Sequence, residues 1–308
     1  MHSKLDKIPS PVLAVFACLL WATAFAGVKT GLLYANPLFF AGLRFFIAGL
    51  ILLPFCGSLF SIVSEVRKYW RVILIVSLFQ TVLLYSFFFL SLSLVEASTG
   101  AIVQGISPLI GALMAHFMLK GNRLTIRKLI SFFIALSGIV LITIGKGDLF
   151  SVSGREDLLG ILFMLLGSIS GSFASIYIAR KRSPISPVLL NSVQISLGGL
   201  VLFLLSLVTE GFNAEIFTEP EPRFFIALIY LSSLSAVAFS IWFYLLKDRA
   251  VPVTTLSIWK FIIPVGGAVF SWILLADESP DLISLGGMVA TGLAVLLFFS
   301  KAPDSKIH

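Results

Sequence analysis

Acidic residues are missing from places where a soluble protein of this size would carry them. Ten stretches of roughly 20 mainly apolar residues follow one another from Pro11 to Phe299, and no Asp or Glu lies in the interior of any of them. Charged residues make up only 12% of the chain, against about 25% in soluble domains, while 58% of residues are hydrophobic. Mean hydropathy is +1.05. These deficits exclude a soluble fold, because no core of a 308-residue chain could hide that much apolar surface. At 1.5 Å of rise per residue each stretch spans the ~30 Å hydrocarbon layer, so the sequence reads as a polytopic membrane protein.

Other absences narrow the chemistry. The two cysteines, Cys18 and Cys56, both fall in apolar stretches, where they are placed neither for an extracellular disulfide nor for a metal site. There is no paired histidine with metal-ligand spacing, no intramembrane Asp and no glycine-rich phosphate loop beside a basic helix. Enzyme chemistry therefore has no foothold, and neither a metal nor a cofactor is implied. Ser98 and Ser107 read as helix-packing hydroxyls rather than nucleophiles. The first apolar run has a basic flank, but Trp21 to Lys29 carries it to spanning length without a small-residue cleavage site, so it is expected to stay as a helix.

The apolar segments run over 11–31, 37–57, 70–91, 97–119, 126–145, 158–179, 186–208, 224–246, 252–275 and 281–300. The net charge of +7 would suggest nucleic acid in a soluble protein; here its placement is the signal, and no nucleic-acid partner is expected. With the N-terminus inside, cytoplasmic loops and tails hold sixteen of the 22 basic residues, among them Lys4, Arg67, Arg127, Arg180 and Lys306, whereas Lys146, Arg155 and Arg223 lie outside. Such a bias predicts that both termini are cytoplasmic. Lys29, Arg44 and Lys260 are the three basic residues left within or near the membrane.

The chain also repeats itself. A shift of 156 residues lays Pro108 on Pro264, Gly111 on Gly267, Thr99 on Thr255 and Arg67 on Arg223, with the segment pattern repeating in step. Each unit, 8–146 and 156–301, has five spans, an odd number, so the second enters the membrane from the opposite side. The expected fold is an all-α integral membrane protein of ten transmembrane helices in two inverted five-helix repeats. That arrangement places a substrate site near the midplane, with alternating access by rocking of the halves.

The run Leu20-Trp21-Ala22-Thr23-Ala24-Phe25-Ala26-Gly27-Val28-Lys29, followed by Pro37 and Arg44-Phe45-Phe46, resembles the opening of an EamA-type member of the drug/metabolite transporter superfamily. Ile263-Pro264-Val265 with Leu274-Leu275-Ala276-Asp277-Glu278 is similar to that family's ninth-helix ending. The resemblance implies a carrier of small metabolites, often amino acids, in the bacterial inner membrane. Some members take up nucleoside-bearing metabolites such as S-adenosylmethionine. Asn122 stands in the first repeat where Glu278 stands in the second, so no role is carried onto that position. Small multidrug exporters of the same superfamily use a carboxylate in the first helix, which residues 11–31 lack, so cation efflux is disfavoured.

Lys260 is the sharpest candidate for binding. It lies eight residues into its segment, ~12 Å from the cytoplasmic edge, and its equivalent under the shift is Gln104. Both stand four residues before a proline, which frees a carbonyl and favours a locally broken, cavity-lining helix. A membrane-embedded charge costs on the order of 2.5 to 3.5 kcal/mol, which favours water or a bound anion beside it. A cation there suits a carboxylate-bearing substrate; snorkelling to the headgroups is the plainer alternative. Trp21, Phe25, Tyr85, Trp242, Tyr244 and Trp259 are the aromatic candidates for a cavity wall. Lys29, Arg44 and His116 read as anchoring or interfacial residues. The expected partners are a small-molecule substrate and the bilayer, with the protein a monomer or homodimer. A carrier of lipid-linked compounds or a purely structural membrane protein is the alternative of another class.

Overall fold

The computed structural model describes residues 8–118, 126–145, 152–181, 183–247, 251, 259–260 and 262–299. Asn122, Thr255, the loop cations Lys120, Arg123, Lys146 and Arg249, and both chain ends lie outside these residues. The described chain is helical, with no strand. In order come α1 (Ser10–Leu32), α2 (Pro37–Leu52, ending in a 3₁₀ turn), α3 (Leu59–Leu94), α4 (Ala97–Met118) and α5 (Ile126–Gly145). They are followed by α6 (Val152–Lys181), α7 (Pro187–Thr209), α8 (Pro222–Lys247), α9 (Ile262–Leu274) and α10 (Leu282–Phe299). Seven helices among the described residues are long and apolar enough to cross a membrane, and α9 and α10 are shorter apolar helices. The protein is thus a multi-pass membrane protein.

Helix starts follow local chemistry. Pro37 and Pro187 occupy first-turn positions, where a missing N–H costs nothing. Ser186 Oγ accepts from the Leu189 N–H at 3.1 Å, and Asp281 Oδ1 accepts from Ile283 and Ser284 at 2.9 and 2.8 Å to cap α10. Two glutamates from elsewhere in the chain do the same across helix boundaries. Glu210, just past α7, accepts from the N–H groups of Leu38 and Phe39 at the start of α2 (3.0 and 3.1 Å). Glu278, just past α9, accepts from Ala97 (2.6 Å) and Ser98 (2.9 Å) at the start of α4. Lys29, expected as an interfacial anchor, closes a helix end of the other polarity: its Nζ donates to the carbonyls of Leu92 (3.0 Å) and Val95 (2.8 Å) at the end of α3.

Several helices overrun the apolar segments read from sequence. α3 starts at Leu59 rather than near 70, and its first three turns are amphipathic, with Leu59, Phe60 and Val63 exposed alongside Arg67 and Lys68. Tyr69 (φ −112°, ψ 17°) kinks the helix between this stretch and the apolar part. A stretch with one apolar and one basic face suits the membrane surface, and a search for uniformly apolar runs passes over it. Glu65, Glu156 and Asp157, which lie outside the ten apolar segments, therefore sit on helices.

Packing is set by small residues, because lipid offers no hydrophobic drive for helices to associate. At the crossing of α2 and α7, a Cβ on Gly199 would lie 2.3 Å from the Phe46 nitrogen and one on Gly42 2.5 Å from the Phe203 nitrogen, so backbone meets backbone. At the crossing of α5 and α10, Gly138 faces Ala290. The 156-residue shift relates α2 to α7, α4 to α9 and α5 to α10, and each of these pairs is in contact. The same shift exchanges the α1–α8 contact with the α6–α3 contact, both extensive.

Candidate functional site

A cavity opens between α1, α2, α3, α4, α8 and α9. Its making starts with breaks in two helices. α4 is interrupted at Gly105–Ile106, where i→i−3 bonds (Gly105 N–H to Ile102 O, 3.0 Å; Ile106 N–H to Val103 O, 3.2 Å) replace the regular ladder ahead of Pro108. Lys260 occupies a turn before α9, and its carbonyl, which Pro264 cannot engage, accepts from the Ile263 N–H at 3.0 Å. Gln104 and Lys260 thus end up at matching breaks, and both line the cavity.

α3 adds a third irregularity. Residues Ser77–Leu83 wind as a π-helix, a form that recurs at functional sites. Ser170 of α6 donates to the Phe79 carbonyl (2.7 Å) and Thr81 donates to Gln194 Oε1 of α7 (2.7 Å), so neighbouring helices support the widened turns. The Gln80 amide sits within this stretch and lines the cavity.

Lys260, Gln104, Trp21, Phe25 and Tyr85 are brought together in the lining. Trp242 lies one layer behind: its ring is 5.1 Å from Trp21, and Lys260 Nζ sits 5.0 Å from its centroid, a cation–π contact. Tyr244 and Trp259 are not in the lining. Tyr244 is buried elsewhere, because at about 100° per residue it is turned roughly 140° around α8 from Phe239, which does line the cavity. Trp259 is half-buried and packs against the apolar core. His116, in the last turn of α4, is also outside the lining.

Sequence reasoning undervalued Arg44. It lines the cavity and is 2% exposed, the largest fully buried side chain among the described residues. Nη2 donates to Ser235 Oγ at 3.0 Å, and the guanidinium carbon lies 4.7 Å from the Phe45 ring centroid. Nε and Nη1 are buried with no hydrogen-bond partner among the described residues, as is Nε1 of Trp21. The signal was available: a cation in the middle of an apolar segment, with no acid in any segment to pair with it.

Gln104 Oε1 is already engaged by Ser168 Oγ at 3.2 Å. What the wall offers is therefore mostly donors: an ammonium, a guanidinium, an indole N–H and amide N–H groups, with no Asp or Glu among the lining residues. The aromatic part is a close-set cluster, Trp21 against Phe239 at 5.2 Å and Phe25 against Phe88 at 5.3 Å. The chamber thus sets hydrogen-bond donors beside apolar, flat ring surfaces.

Comparison with known proteins agrees with this architecture. The model of the EamA-like transporter family matches the chain twice, over residues 9–144 and 158–300. An uncharacterized transporter of Acidianus ambivalens is 32% identical over 272 residues, covering 88% of this chain and 97% of that protein. YvbV, an uncharacterized transporter of Bacillus subtilis, is 23% identical over 98% of this chain and 95% of its own. A protein named as an S-adenosylmethionine/S-adenosylhomocysteine transporter, from Chlamydia muridarum, is 24% identical over 94% of this chain and 90% of its own. One crystal structure superposes with a TM-score of 0.62 at 20% identity, covering 94% of this chain and 97% of that one, which speaks for the fold alone. With both of its halves matched by the same family model, this chain belongs to the EamA-like transporter family.

Proposed function

We propose that the protein is a secondary transporter that moves a small carboxylate-bearing metabolite, amino acids included, across the bacterial inner membrane. The observation that carries this reading is Lys260: a half-buried cation at a helix break, on the wall of a cavity with no carboxylate among its lining residues. The two halves act as inverted five-helix repeats, 8–146 and 156–301, that rock around the cavity as a monomer or homodimer, with both termini cytoplasmic. Supporting this are the Lys and Arg bias of the loops and the way the 156-residue shift exchanges helix contacts.

The test is counterflow in proteoliposomes with labelled carboxylate-bearing metabolites, comparing wild type with Lys260→Met at matched reconstitution. Methionine keeps an apolar stem of similar length while removing the charge. Losing one charge-assisted contact costs about 1.5 to 3 kcal/mol, or roughly 10- to 150-fold in affinity. Lys260→Arg keeps the charge in a different shape and retains part of the activity. Wild-type affinity in Lys260→Met would refute the carboxylate anchor.

A second reading, transport of a nucleoside-bearing metabolite such as S-adenosylmethionine, is favoured by the aromatic cluster around Trp21 and by the named Chlamydia relative. Two cations in the wall oppose a sulfonium-bearing substrate. Including S-adenosylmethionine and S-adenosylhomocysteine in the same counterflow panel separates the readings.

A further inference from the structure

The cavity holds two cations, not one. Arg44 is anchored on α8 through Ser235, whereas Lys260 is seated over Trp242 of the same helix. These anchor points are seven residues apart, so the two sites are offset by about 10 Å along the α8 axis. Phe239 lies between the two levels and lines the cavity. One carboxylate cannot span that offset.

Among the described residues, neither cation faces a carboxylate. The ionisable groups facing Arg44 are the phenols of Tyr85 and Tyr230, and the group facing Lys260 is the thiol of Cys18; none is a carboxylate. A purely structural arginine would be expected to have its five N–H donors satisfied, since burying an unpaired charge is costly. At Arg44 the pairing is incomplete: Ser235 takes Nη2, Phe45 and Phe89 cover the faces, and Nε and Nη1 have no partner among the described residues. The Nε–H and the Nη1 hydrogens point to different sides of the guanidinium, so each is left to take an acceptor of its own, such as an oxygen of an acidic group.

We infer that the substrate is an organic dianion, with one acidic group held by Lys260, the other by Arg44, and the section between them resting on Phe239, Tyr85 and Trp21. This rests on the reading of the cavity as the transport site, and it narrows the substrate from carboxylate-bearing compounds in general to those with two separated acidic groups. A neutral zwitterion fills one subsite and leaves the other cation bare. A dianion brings the loaded cavity to neutrality.

The experiment is counterflow in proteoliposomes with straight-chain diacids from succinate to suberate, each beside its own half-amide, which has the same length but one charge. Wild type is expected to exchange at least one diacid roughly 10-fold or more better than its half-amide, with an optimum at one chain length. In Arg44→Gln that ratio falls toward one, and Arg44→Lys restores part of it. Equal exchange of diacids and half-amides by wild type, or an undiminished ratio in Arg44→Gln, overturns the dianion inference while leaving the carboxylate carrier standing. Absence of exchange for every carboxylate by wild-type protein that melts cooperatively overturns the carrier reading and the inference together. If Arg44→Gln does not fold, the wild-type ratio and Arg44→Lys decide.

Discussion

Replacing Glu278 with Ala removes a side chain that ties two parts of the molecule together. Glu278 is 5% exposed, and its two oxygens accept from the first two N–H groups of α4, Ala97 at 2.6 Å and Ser98 at 2.9 Å. Loss of an N-cap costs about 0.5 to 2 kcal/mol, and a carboxylate at a helix N-terminus adds about 0.3 to 1 through the dipole. Each buried N–H left without an acceptor adds about 1 to 3 kcal/mol unless water reaches it. Lys29 also loses the carboxylate that stands first among the acids facing it. These contributions overlap, and about 2 to 4 kcal/mol is the resulting expectation for Glu278→Ala. Glu278→Gln keeps one acceptor and is expected to lose about half as much. At roughly 2 to 4 °C per kcal/mol, the alanine variant should melt about 5 to 15 °C lower in detergent at a fixed scan rate. An alanine variant that melts within about 1 °C of wild type would show that the cap is replaceable and refute the reasoning.

Other perturbations test other parts of the structure. Gly199→Ala puts a Cβ 2.3 Å from the Phe46 nitrogen and should cost about 1 to 3 kcal/mol or more by parting α2 from α7, whereas Gly286→Ala, with nothing within 4 Å, should leave the melting temperature unchanged. Burial holds the Glu210 carboxyl above its ordinary value of 4.5, outweighing the hydrogen bonds from Leu38 and Phe39 that pull the other way. The folded state therefore binds that proton more tightly than the unfolded state. Its stabilisation is full below 4.5 and fades as pH rises through the raised value, so Glu210→Gln should flatten that slope in melts recorded across mildly acidic pH. Because the empty cavity carries two bare cations, reorientation should be easier loaded than empty: exchange should outrun net flux, with little response to a collapsed proton gradient. Flux that stops with the gradient and also fails in Glu96→Gln, a change of the acid at the N-cap of α4, would overturn that expectation.

How far the fold could be read depended on how many residues carried each signal. Membrane class and the helix positions rest on sums over some twenty residues, and for α5 the expected 126–145 and the observed helix coincide. Ends were harder. The amphipathic start of α3 and the charged start of α6 are helical for reasons of capping and surface position, which a search for uniform apolarity does not weigh. The π-helix at Ser77–Leu83 left no mark in composition, since its support comes from Ser170 and Gln194, roughly a hundred residues further along the chain. The proline spacing was the better guide: Pro108 and Pro264 each remove a ladder donor, and both helices break just ahead of them.

At the site, Lys260 could be found because it sits deep in a segment and beside a proline. Arg44 has the same composition signal, but a position count along α2 cannot distinguish a cation that reaches the headgroups from one that turns inward. What turns it inward is tertiary. Gly42 and Gly49 let α2 press against α7 at backbone distance, and Ser235 of α8 supplies a hydroxyl that accepts from the guanidinium. A cation held there by packing, on the wall of a chamber lined by aromatic rings and with Nε and Nη1 unpartnered among the described residues, is charged only at the expense of stability unless something else completes it. In a carrier, the substrate is what can do so.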